Sequence, residues 1–172
     1  MNITAGIFKG RKITAPDENI TRPTLSKVRM AVFNTLQSMI DFDEKSFLDM
    51  FSGSGIMGLE ALSRGFSNVV AIEKHPKVLQ VIKNNFKNFL PAPKLIKGDS
   101  LKIAETLNEK FNVIYIDPPY YSGIYEASLD AVKNIAQNIV ILEHVTEVDF
   151  MGYEVLKQKK YGDKYITFLH RL

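Results

Sequence analysis

The amino-acid sequence predicts an α/β fold in which helices cover both faces of one mostly parallel sheet. Two observations lead to this prediction. Short strand-like runs alternate with segments of helical character through the middle of the chain, which is the pattern of right-handed β-α-β units. The last two runs are separated only by the turn Tyr-Gly-Asp, which indicates an antiparallel pair that closes the sheet.

The elements can be assigned in order from the amino end. ITAGIF and RKIT predict a short hairpin around Gly10, and Thr24 is placed to cap the first helix. That helix is amphipathic, because apolar residues recur at helical spacing at Val28, Val32, Leu36 and Met39. Five strands are predicted from FLDMF, VVAIE, KLIKG, NVIYID and NIVILE, with helices between them at 56–64, 76–89, 100–109 and 124–136. The predicted antiparallel pair consists of YEVLKQKK and KYITFLHR.

The composition indicates one globular domain. The chain has 172 residues, of which 45% are hydrophobic and 24% are charged, and it shows no interdomain linker or internal repeat. Its apolar runs are far shorter than the roughly 20 residues that a membrane-spanning helix needs, so we expect a soluble, cytoplasmic protein without a membrane partner. The absence of cysteine excludes disulfides and thiolate metal ligands, and the three histidines share no ligand-like spacing, so no metal is expected.

Charge is unevenly distributed along the chain. Residues 1–35 contain six basic and two acidic residues, and residues 157–172 contain five basic and one acidic, so each end carries +4. Because the net charge is +3, the middle of the chain carries −5. Basic ends suit contact with a polyanion, whereas an acidic centre suits a cationic ligand. Charge alone favours the interpretation of these residues as ordinary solvated lysines.

A glycine-rich segment follows the first strand of the core. Gly53, Gly55 and Gly58 spell G-x-G-x-x-G in LDMFSGSGIMGLEAL, and Glu73 ends the second strand twenty residues after Gly53. Such a loop lets the backbone approach a ligand closely and exposes a helix N-terminus. The pattern is also the dinucleotide-binding fingerprint, so by itself it does not identify the cofactor.

Asp49 helps to separate the two cofactor classes. It lies just before the glycine loop, where a carboxylate would repel the pyrophosphate of NAD. S-adenosylmethionine has no phosphate and carries an ammonium and a sulfonium, so an acidic cradle suits it. At the end of the third strand, Asp99 and Ser100 are candidates for contact with the adenine. Asp99 is an equally good candidate for the N-cap of the following helix.

Residues 112–125 read NVIYIDPPYYSGIY and point to chemistry at the end of the fourth strand. The exocyclic amine of a nucleobase is a poor nucleophile, because its lone pair is delocalised into the ring. A carboxylate from Asp117 and a carbonyl from Pro118 would accept its hydrogens and aim the lone pair at an electrophilic methyl. Pro119 stiffens the loop, and Tyr120 offers a face for a flipped base to stack on. An ordinary Pro-Pro turn is the alternative interpretation.

The sequence resembles the bacterial RsmD family of ribosomal RNA methyltransferases. D-P-P-Y is similar to the [DNS]-P-P-[YFW] signature of amino methyltransferases, and further blocks match the family: G-x-F-K-G-R-K near residue 6, R-P-T-x-x-x-V-R-x-A-V-F-N at 22–34, the glycine loop, and Y-G-D-K at 161–164. These blocks cover nearly the whole chain. Phenylalanine is common in the family at the position of Tyr120, and either ring can stack on a base.

The resemblance implies a Rossmann-like class I methyltransferase with a seven-stranded mixed sheet, helices on both faces and a short N-terminal β-hairpin and helix extension. It implies S-adenosylmethionine-dependent N2-methylation of a guanine in small-subunit (16S) rRNA, within an assembled or partly assembled ribosomal subunit. We expect a monomer with a single methyltransferase domain over residues 1–172. Within it, residues 1–40 form the extension and residues 41–172 form the cofactor-binding and catalytic core.

Site residues follow from matching this sequence to the family's motifs. The resemblance assigns cofactor binding to Asp49, Ser52, Gly53, Gly55, Glu73, Asp99 and Ser100. It assigns catalysis and binding of the target amine to Asp117, Pro118, Pro119 and Tyr120. The basic ends supply the candidates for RNA phosphate contacts, which are Lys9, Arg11, Lys12, Arg22, Lys159 and Lys160.

Other functional classes stay open at this point. A DNA adenine-N6 methyltransferase shares D-P-P-Y, but it normally needs an added target-recognition domain. A protein-glutamine N5 methyltransferase shares the chemistry, although N-P-P-Y is more typical of that class. A binding module without activity would tolerate loss of Asp117 or of the glycine loop, yet both are intact. A dehydrogenase would have no use for D-P-P-Y.

Overall fold

A computed structural model of the chain describes residues 1–17, 19, 24–120 and 123–172, and its centre is a seven-stranded sheet. The strands are β1 Ser46–Asp49, β2 Asn68–Glu73, β3 Lys94–Lys97, β4 Phe111–Ile116, β5 Ala136–His144, β6 Tyr153–Tyr161 and β7 Lys164–Arg171. The helices are α1 Ser26–Gln37, α2 Ile56–Ser63, α3 Pro76–Phe86, α4 Ser100–Thr106 and α5 Ile124–Val132. The first helix, the five core strands, the four helices between them and the final antiparallel pair are present as predicted, and the mixed seven-stranded sheet is confirmed.

The strand order places a crevice at the middle of the sheet. The order is β3-β2-β1-β4-β5-β7-β6, in which β1 to β5 are parallel and β7 lies antiparallel between β5 and β6. The chain builds outward from β1 in one direction and from β4 in the other. Ligands of such sheets bind outside the carboxyl ends of the strands at this switch point.

Alternating side chains supply a hydrophobic core to each face of the sheet. Phe47 and Leu48 are neighbours in β1 and are both fully buried, yet they belong to different core clusters. The cluster around Phe47 is covered by α1, α2 and α3, and the cluster around Leu48 is covered by α4 and α5. Helices therefore lie on both faces, as predicted for a sheet whose strands are nearly continuous apolar runs.

The N-terminal segment doubles back at Gly10, but its pairing is shorter than the predicted hairpin. The described residues there form a single antiparallel bridge, between Asn2 and Lys12. The segment instead packs on the end of α2, where Gly6 has φ +81° and a Cβ atom at that position would lie 1.8 Å from the Ser63 carbonyl oxygen. Ile7 donates its N–H to that carbonyl at 2.8 Å. Docking on α2 therefore replaces extended strand pairing.

The start of α1 differs from the sequence prediction. Thr24 does not cap the helix, because α1 begins at Ser26 with Leu25 at the N-cap and no capping side chain. The carbonyl of Thr24 instead accepts a hydrogen bond from the Arg29 guanidinium at 2.5 Å. The buried Arg29 therefore holds the chain just before α1, and the predicted side-chain cap is absent.

The described parts of the chain show neither a membrane-spanning helix nor a cluster of metal-binding side chains. None of the helices described above is long and apolar enough to cross a bilayer. Within the same residues, no group of three or more histidine, aspartate or glutamate side chains is placed to hold a metal ion.

Candidate active site

A cavity of about 490 Å³ opens at the carboxyl ends of the first four strands. Six of the predicted cofactor residues line it: Asp49, Ser52, Gly53, Glu73, Asp99 and Ser100. All four predicted catalytic residues line it as well: Asp117, Pro118, Pro119 and Tyr120. The fold therefore brings the glycine loop and the D-P-P-Y segment, more than sixty residues apart in the sequence, to one hollow.

Two glycines of the loop, Gly53 and Gly55, have different structural roles. Gly53 lines the cavity with φ +51°, and a Cβ atom added there would meet no atom within 4 Å. Gly55 does not line the cavity. It is the N-cap of α2 with φ +78°, and a Cβ atom at this position would lie 2.6 Å from the ring of Phe86 on α3. Gly55 is thus needed for backbone conformation and helix packing, whereas Gly53 leaves room for a ligand.

Asp49 is a buried carboxylate at the end of β1. Its side chain lines the cavity although the residue is only 1% exposed, and Oδ2 accepts the Gly58 N–H of α2 at 3.3 Å. Burial raises the pKa of Asp49 to about 8. The hydrogen bond from Gly58 opposes this shift, and repulsion from Asp117, Glu73 and Glu143 adds to it. A cationic ligand in the cavity would relieve the cost of ionising this group.

Backbone hydrogen bonds fix the Glu73 carboxylate at the end of β2. Oε2 accepts the N–H of Gly53 at 3.2 Å, and Oε1 accepts the N–H groups of Lys74 and His75 at 2.9 and 2.8 Å. A carboxylate has about four acceptor sites, so three are filled and about one remains for a sugar hydroxyl.

Three further residues of the cavity wall also have structural bonds. The Ser52 hydroxyl donates to the Ile72 carbonyl at 2.9 Å, which ties the glycine loop to β2. Asp99 is the N-cap of α4 and accepts the Lys102 N–H at 3.3 Å. The capping role of Asp99, which the sequence left open, is present together with its position on the cavity. Ser100 is buried beside it.

The D-P-P-Y segment leaves β4 and turns across the mouth of the cavity. Pro118 is buried, whereas Pro119 is exposed and Tyr120 is 48% exposed, so the tyrosine ring is open to an incoming group. The Asp117 side chain is 18% exposed, and its two oxygens lie 3.3 and 3.4 Å from Nζ of Lys164. Burial raises the pKa of Asp117 to about 7, with repulsion from Glu143 adding to the shift and Lys164 opposing it.

Sequence reasoning missed several residues at this site. Lys164 lines the cavity, and its partner Glu143 is fully buried on β5. His75 also lines the cavity, and among the described side chains its Nδ1 is one of two buried polar atoms without a hydrogen-bond partner. The block Y-G-D-K contained a signal for Lys164, but nothing in the sequence indicated which strand it would face.

The five predicted RNA contacts within the described residues do not line the cavity. Lys9, Arg11 and Lys12 are exposed on the N-terminal segment, where the Arg11 guanidinium lies 4.3 Å from the centroid of the Phe89 ring. On β6, Nζ of Lys159 donates to the Thr35 hydroxyl at 3.1 Å, and Lys160 lies over a tyrosine ring. Arg22 lies outside the described residues.

Comparisons with known proteins show the family and the fold of this chain. The family model described as Conserved hypothetical protein 95 matches residues 1–170. The protein named "Ribosomal RNA small subunit methyltransferase D" from Buchnera aphidicola is 34% identical over 77% of this chain and 69% of its own. YlbH of Bacillus subtilis (strain 168) is 32% identical over 94% of both chains. The solved structure of yhhF from Escherichia coli superposes with a TM-score of 0.86 at 25% identity, covering 99% of this chain and 97% of that one.

Proposed function

The chain belongs to the family described as conserved hypothetical protein 95, and on this premise we propose that it methylates small-subunit rRNA with S-adenosylmethionine. The target we propose is the N2 amine of a guanine. One observation carries the proposal: Asp117 and Tyr120 face the same cavity as Asp49 and the glycine loop. A methyl donor held by the loop and an amine held by Asp117 would therefore meet in one hollow.

The residues present suit S-adenosylmethionine. The donor carries an ammonium and a sulfonium, and when bound it supplies an electrophilic methyl group. Asp49, Glu73 and Asp99 give the cavity an acidic wall, and Gly53 lets the backbone approach the ligand without a side chain between them. Glu73 keeps about one acceptor site free for a sugar hydroxyl. The cavity volume of about 490 Å³ lies within the usual range for small-ligand sites.

Asp117 would act directly on the target amine. Its carboxylate accepts a hydrogen bond from the exocyclic N–H, which directs the nitrogen lone pair away from the carboxylate and toward the donor side of the cavity. A methylated amine that bears positive charge is strongly acidic, so a carboxylate with a pKa of about 7 is basic enough to take up the proton that nitrogen loses. Tyr120, half-exposed at the mouth, offers a ring for stacking the target base.

Basic residues outside the cavity would hold the RNA backbone. We assign this role to Lys9, Arg11, Lys12, Arg22, Lys159 and Lys160, which belong to the two positively charged ends of the sequence. Contacts with phosphates would position the RNA without reading its sequence.

We propose further that the protein works in the cytoplasm as a monomer, on RNA within an assembled or partly assembled subunit. The small-subunit rRNA named for the Buchnera relative supports the substrate, and a cavity that one chain lines by itself is compatible with a monomer. Light scattering of the purified protein tests the monomer, and comparing naked RNA with subunit particles as substrate tests the assembly state.

Transfer of tritiated methyl groups to small-subunit particles from a methyltransferase-deficient strain tests the activity. Nucleoside analysis should give N2-methylguanosine. Asp117→Ala should lower turnover on the order of 10²–10³-fold, the usual effect of removing a transition-state contact, with little change in cofactor affinity. Asp117→Asn is the control, because asparagine keeps the shape of the side chain and removes its charge. N6-methyladenine in DNA, or methylated glutamine in protein, would replace the proposal by one of those two activities. Equal loss of turnover and cofactor affinity would reassign Asp117 to cofactor binding.

A further inference from the structure

Lys164 joins two acidic side chains from different strands at the wall of the cavity. It is the first residue of β7, directly after the tight turn that separates β6 from β7. Its Nζ lies 3.3 and 3.4 Å from the two oxygens of Asp117 and 2.5 Å from Oε2 of Glu143. The side chain is 26% exposed, so the ion pairs are largely shielded from solvent.

Glu143 fixes the ammonium from behind. It lies in β5, its side chain is completely buried, and its Oε1 accepts a hydrogen bond from the hydroxyl of Tyr115 on β4. Tyr115 is itself 1% exposed. Because the glutamate is bonded through both oxygens inside the protein, it has little freedom to follow the ammonium elsewhere. The position of Nζ is therefore set by the sheet rather than by a flexible surface chain.

We propose that Lys164 is a positioning residue for methyl transfer, which holds the Asp117 carboxylate ionised and aimed into the cavity while Glu143 anchors the lysine. This inference rests on the proposed function of Asp117. The resemblance to the family gave no role for the block Y-G-D-K at 161–164. The contacts of Lys164 now suggest a role for its last residue.

The charges around Asp117 explain why a cation is needed there. Asp117 interacts electrostatically with two carboxylates, Glu143 on β5 and Asp49 on β1. It also interacts with three tyrosine hydroxyls, those of Tyr115, Tyr120 and Tyr125. Lys164 is the cation that these interactions include. Burial disfavours its ammonium form, but Asp117 and Glu143 outweigh burial and raise the pKa of Lys164, so it stays charged. Without it, two carboxylates would face each other in a buried setting and Asp117 would retain its proton.

The same ammonium also supports the aromatic ring of the motif. Nζ of Lys164 lies 5.6 Å from the centroid of the Tyr120 ring, within the range of a cation–π contact. One face of the ring is therefore occupied from the protein side. The opposite face is the one left for stacking a base, so Lys164 sets the orientation of both groups that would meet the target.

Carboxyl NMR of the ligand-free protein tests the pairing without any substrate. The Asp117 signal, assigned by its loss in Asp117→Asn, should titrate at least one pH unit higher in Lys164→Gln than in the wild type. Glu143→Gln should move it in the opposite direction, since it removes a like charge, and Lys164→Arg should stay near the wild type. If Lys164→Gln does not fold, the double variant Lys164→Gln, Glu143→Gln is compared with Glu143→Gln alone. The double variant removes the fully buried Glu143 carboxylate together with its cation. An Asp117 titration that is the same with and without Lys164 would overturn the proposal.

The pH dependence of methyl transfer tests the positioning role. In Lys164→Gln, kcat at pH 7 should fall at least about 5-fold, because a rise of one unit from a pKa of about 7 leaves roughly one tenth of Asp117 ionised, and it should recover as the pH is raised to 9 with cofactor affinity unchanged. Lys164→Arg should retain most of the activity at pH 7. A fall in kcat that no rise in pH restores, or equal losses in the Gln and Arg variants, would reduce Lys164 to a structural residue. Failure of the wild type to methylate subunits would refute the proposed function alone, because the NMR result decides the Lys164–Asp117 pairing independently.

Discussion

At the scale of single residues, the site is built from carboxylates that the protein buries at a cost. Asp49 is 1% exposed and has one hydrogen bond, from Gly58, to offset its burial. Its pKa of about 8 means that the ligand-free protein holds it mostly protonated at pH 7. A cationic cofactor would favour the ionised form, so binding should release a proton. A buried carboxylate of this kind lowers the stability of the ligand-free protein and favours the binding of a cation.

Asp49→Asn should stabilise the ligand-free protein and weaken cofactor binding. The folded pKa of about 8 exceeds the ordinary value of 3.8, so the stability from proton binding is complete below pH 4 and is lost as the pH rises through 8. Asparagine does not ionise, and the variant should therefore gain roughly 1–3 kcal/mol over the wild type at pH 9. Thermal unfolding between pH 4 and 9 measures the difference.

Calorimetric binding measures the functional part of the Asp49 prediction. Wild-type affinity for S-adenosylmethionine should rise between pH 6 and 9, and Asp49→Asn should bind at least about 10-fold more weakly, the equivalent of about 1.4 kcal/mol. Asp43→Asn changes an exposed carboxylate and should alter neither quantity. Identical pH profiles of stability in the wild type and Asp49→Asn would contradict the assigned pKa.

At the scale of secondary-structure elements, the site depends on how helices are seated against the sheet. Gly55 begins α2 and touches Phe86 at the end of α3, so one glycine fixes the approach of two helices. The N-terminal segment is seated by Gly6 against the last turn of α2. The helix that follows the glycine loop is thus held at both ends by positions where a side chain would clash.

Gly55→Ala should destabilise the protein more than Gly53→Ala. Both glycines have positive φ, which costs an alanine about 1–2 kcal/mol, but only Gly55 would also place its Cβ 2.6 Å from the Phe86 ring. We expect an additional loss of roughly 1–3 kcal/mol from overpacking. Urea unfolding of the two variants gives the comparison, and equal losses would show that the ring yields without cost.

Lys9→Ala combined with Lys12→Ala should weaken RNA binding and lower its salt dependence. Both lysines are exposed on the N-terminal segment, and each lost phosphate contact should reduce the slope of log affinity against log salt by about one. Arg11 is left in place because its stacking on Phe89 also supports packing. Filter binding of a small-subunit rRNA fragment at several salt concentrations measures the slope.

The control for the lysine pair is Lys133→Ala. This exposed lysine pairs with Asp130 at the end of α5, away from the N-terminal segment. It should leave the slope unchanged. If the slope is also unchanged in the Lys9 and Lys12 variant, neither lysine contacts RNA phosphates.

At the scale of the whole molecule, a buried ionic network joins the N-terminal extension to the core. Glu60 on α2 is completely buried and accepts hydrogen bonds from the Thr4 backbone and hydroxyl at 2.9 and 2.8 Å. It also pairs with Arg29 of α1 at 3.1 Å and with Arg64 at 3.4 Å. Thr4 and Arg29, both within the predicted extension, are therefore tied to the helix that follows the glycine loop. The single domain over residues 1–172 stays a prediction.

Glu60→Ala should lower the stability of the whole chain rather than release the extension. Breaking a buried pair leaves an uncompensated guanidinium and typically costs 3–5 kcal/mol, so we expect a loss of about that size. Circular dichroism should show one transition at a lower denaturant midpoint, and hydrogen exchange of the Ile3 and Ile13 amides should accelerate together with that of the core strands. Glu154→Ala, an exposed change on β6, is the control. Separate melting of residues 1–40 would contradict the single domain.

Much of the architecture was predictable because its signals are local. Strand runs such as VIYI and the glycine loop have periodicity and turn chemistry within a few residues, and these decided the elements and the residues around Gly53 and Asp117. Local signals were weaker at the ends of elements: α1 begins without the expected Thr24 cap, and the Thr24 carbonyl is bonded by the buried Arg29 instead. The N-terminal segment likewise docked on α2 because Gly6 permitted a contact that no local pattern announced.

The sequence by itself thus determined the fold class, the family and the loops that line the cavity. Tertiary structure alone decided the partners of Asp117, because Lys164 is 47 residues away and meets Glu143 only when β7 inserts antiparallel beside β5. It also decided that Gly53 faces the cavity and that Gly55 faces Phe86. The physical reason is that the charges of Asp117, Lys164 and Glu143 depend on burial and on contacts between distant parts of the chain. Neither produces a periodic pattern in the sequence.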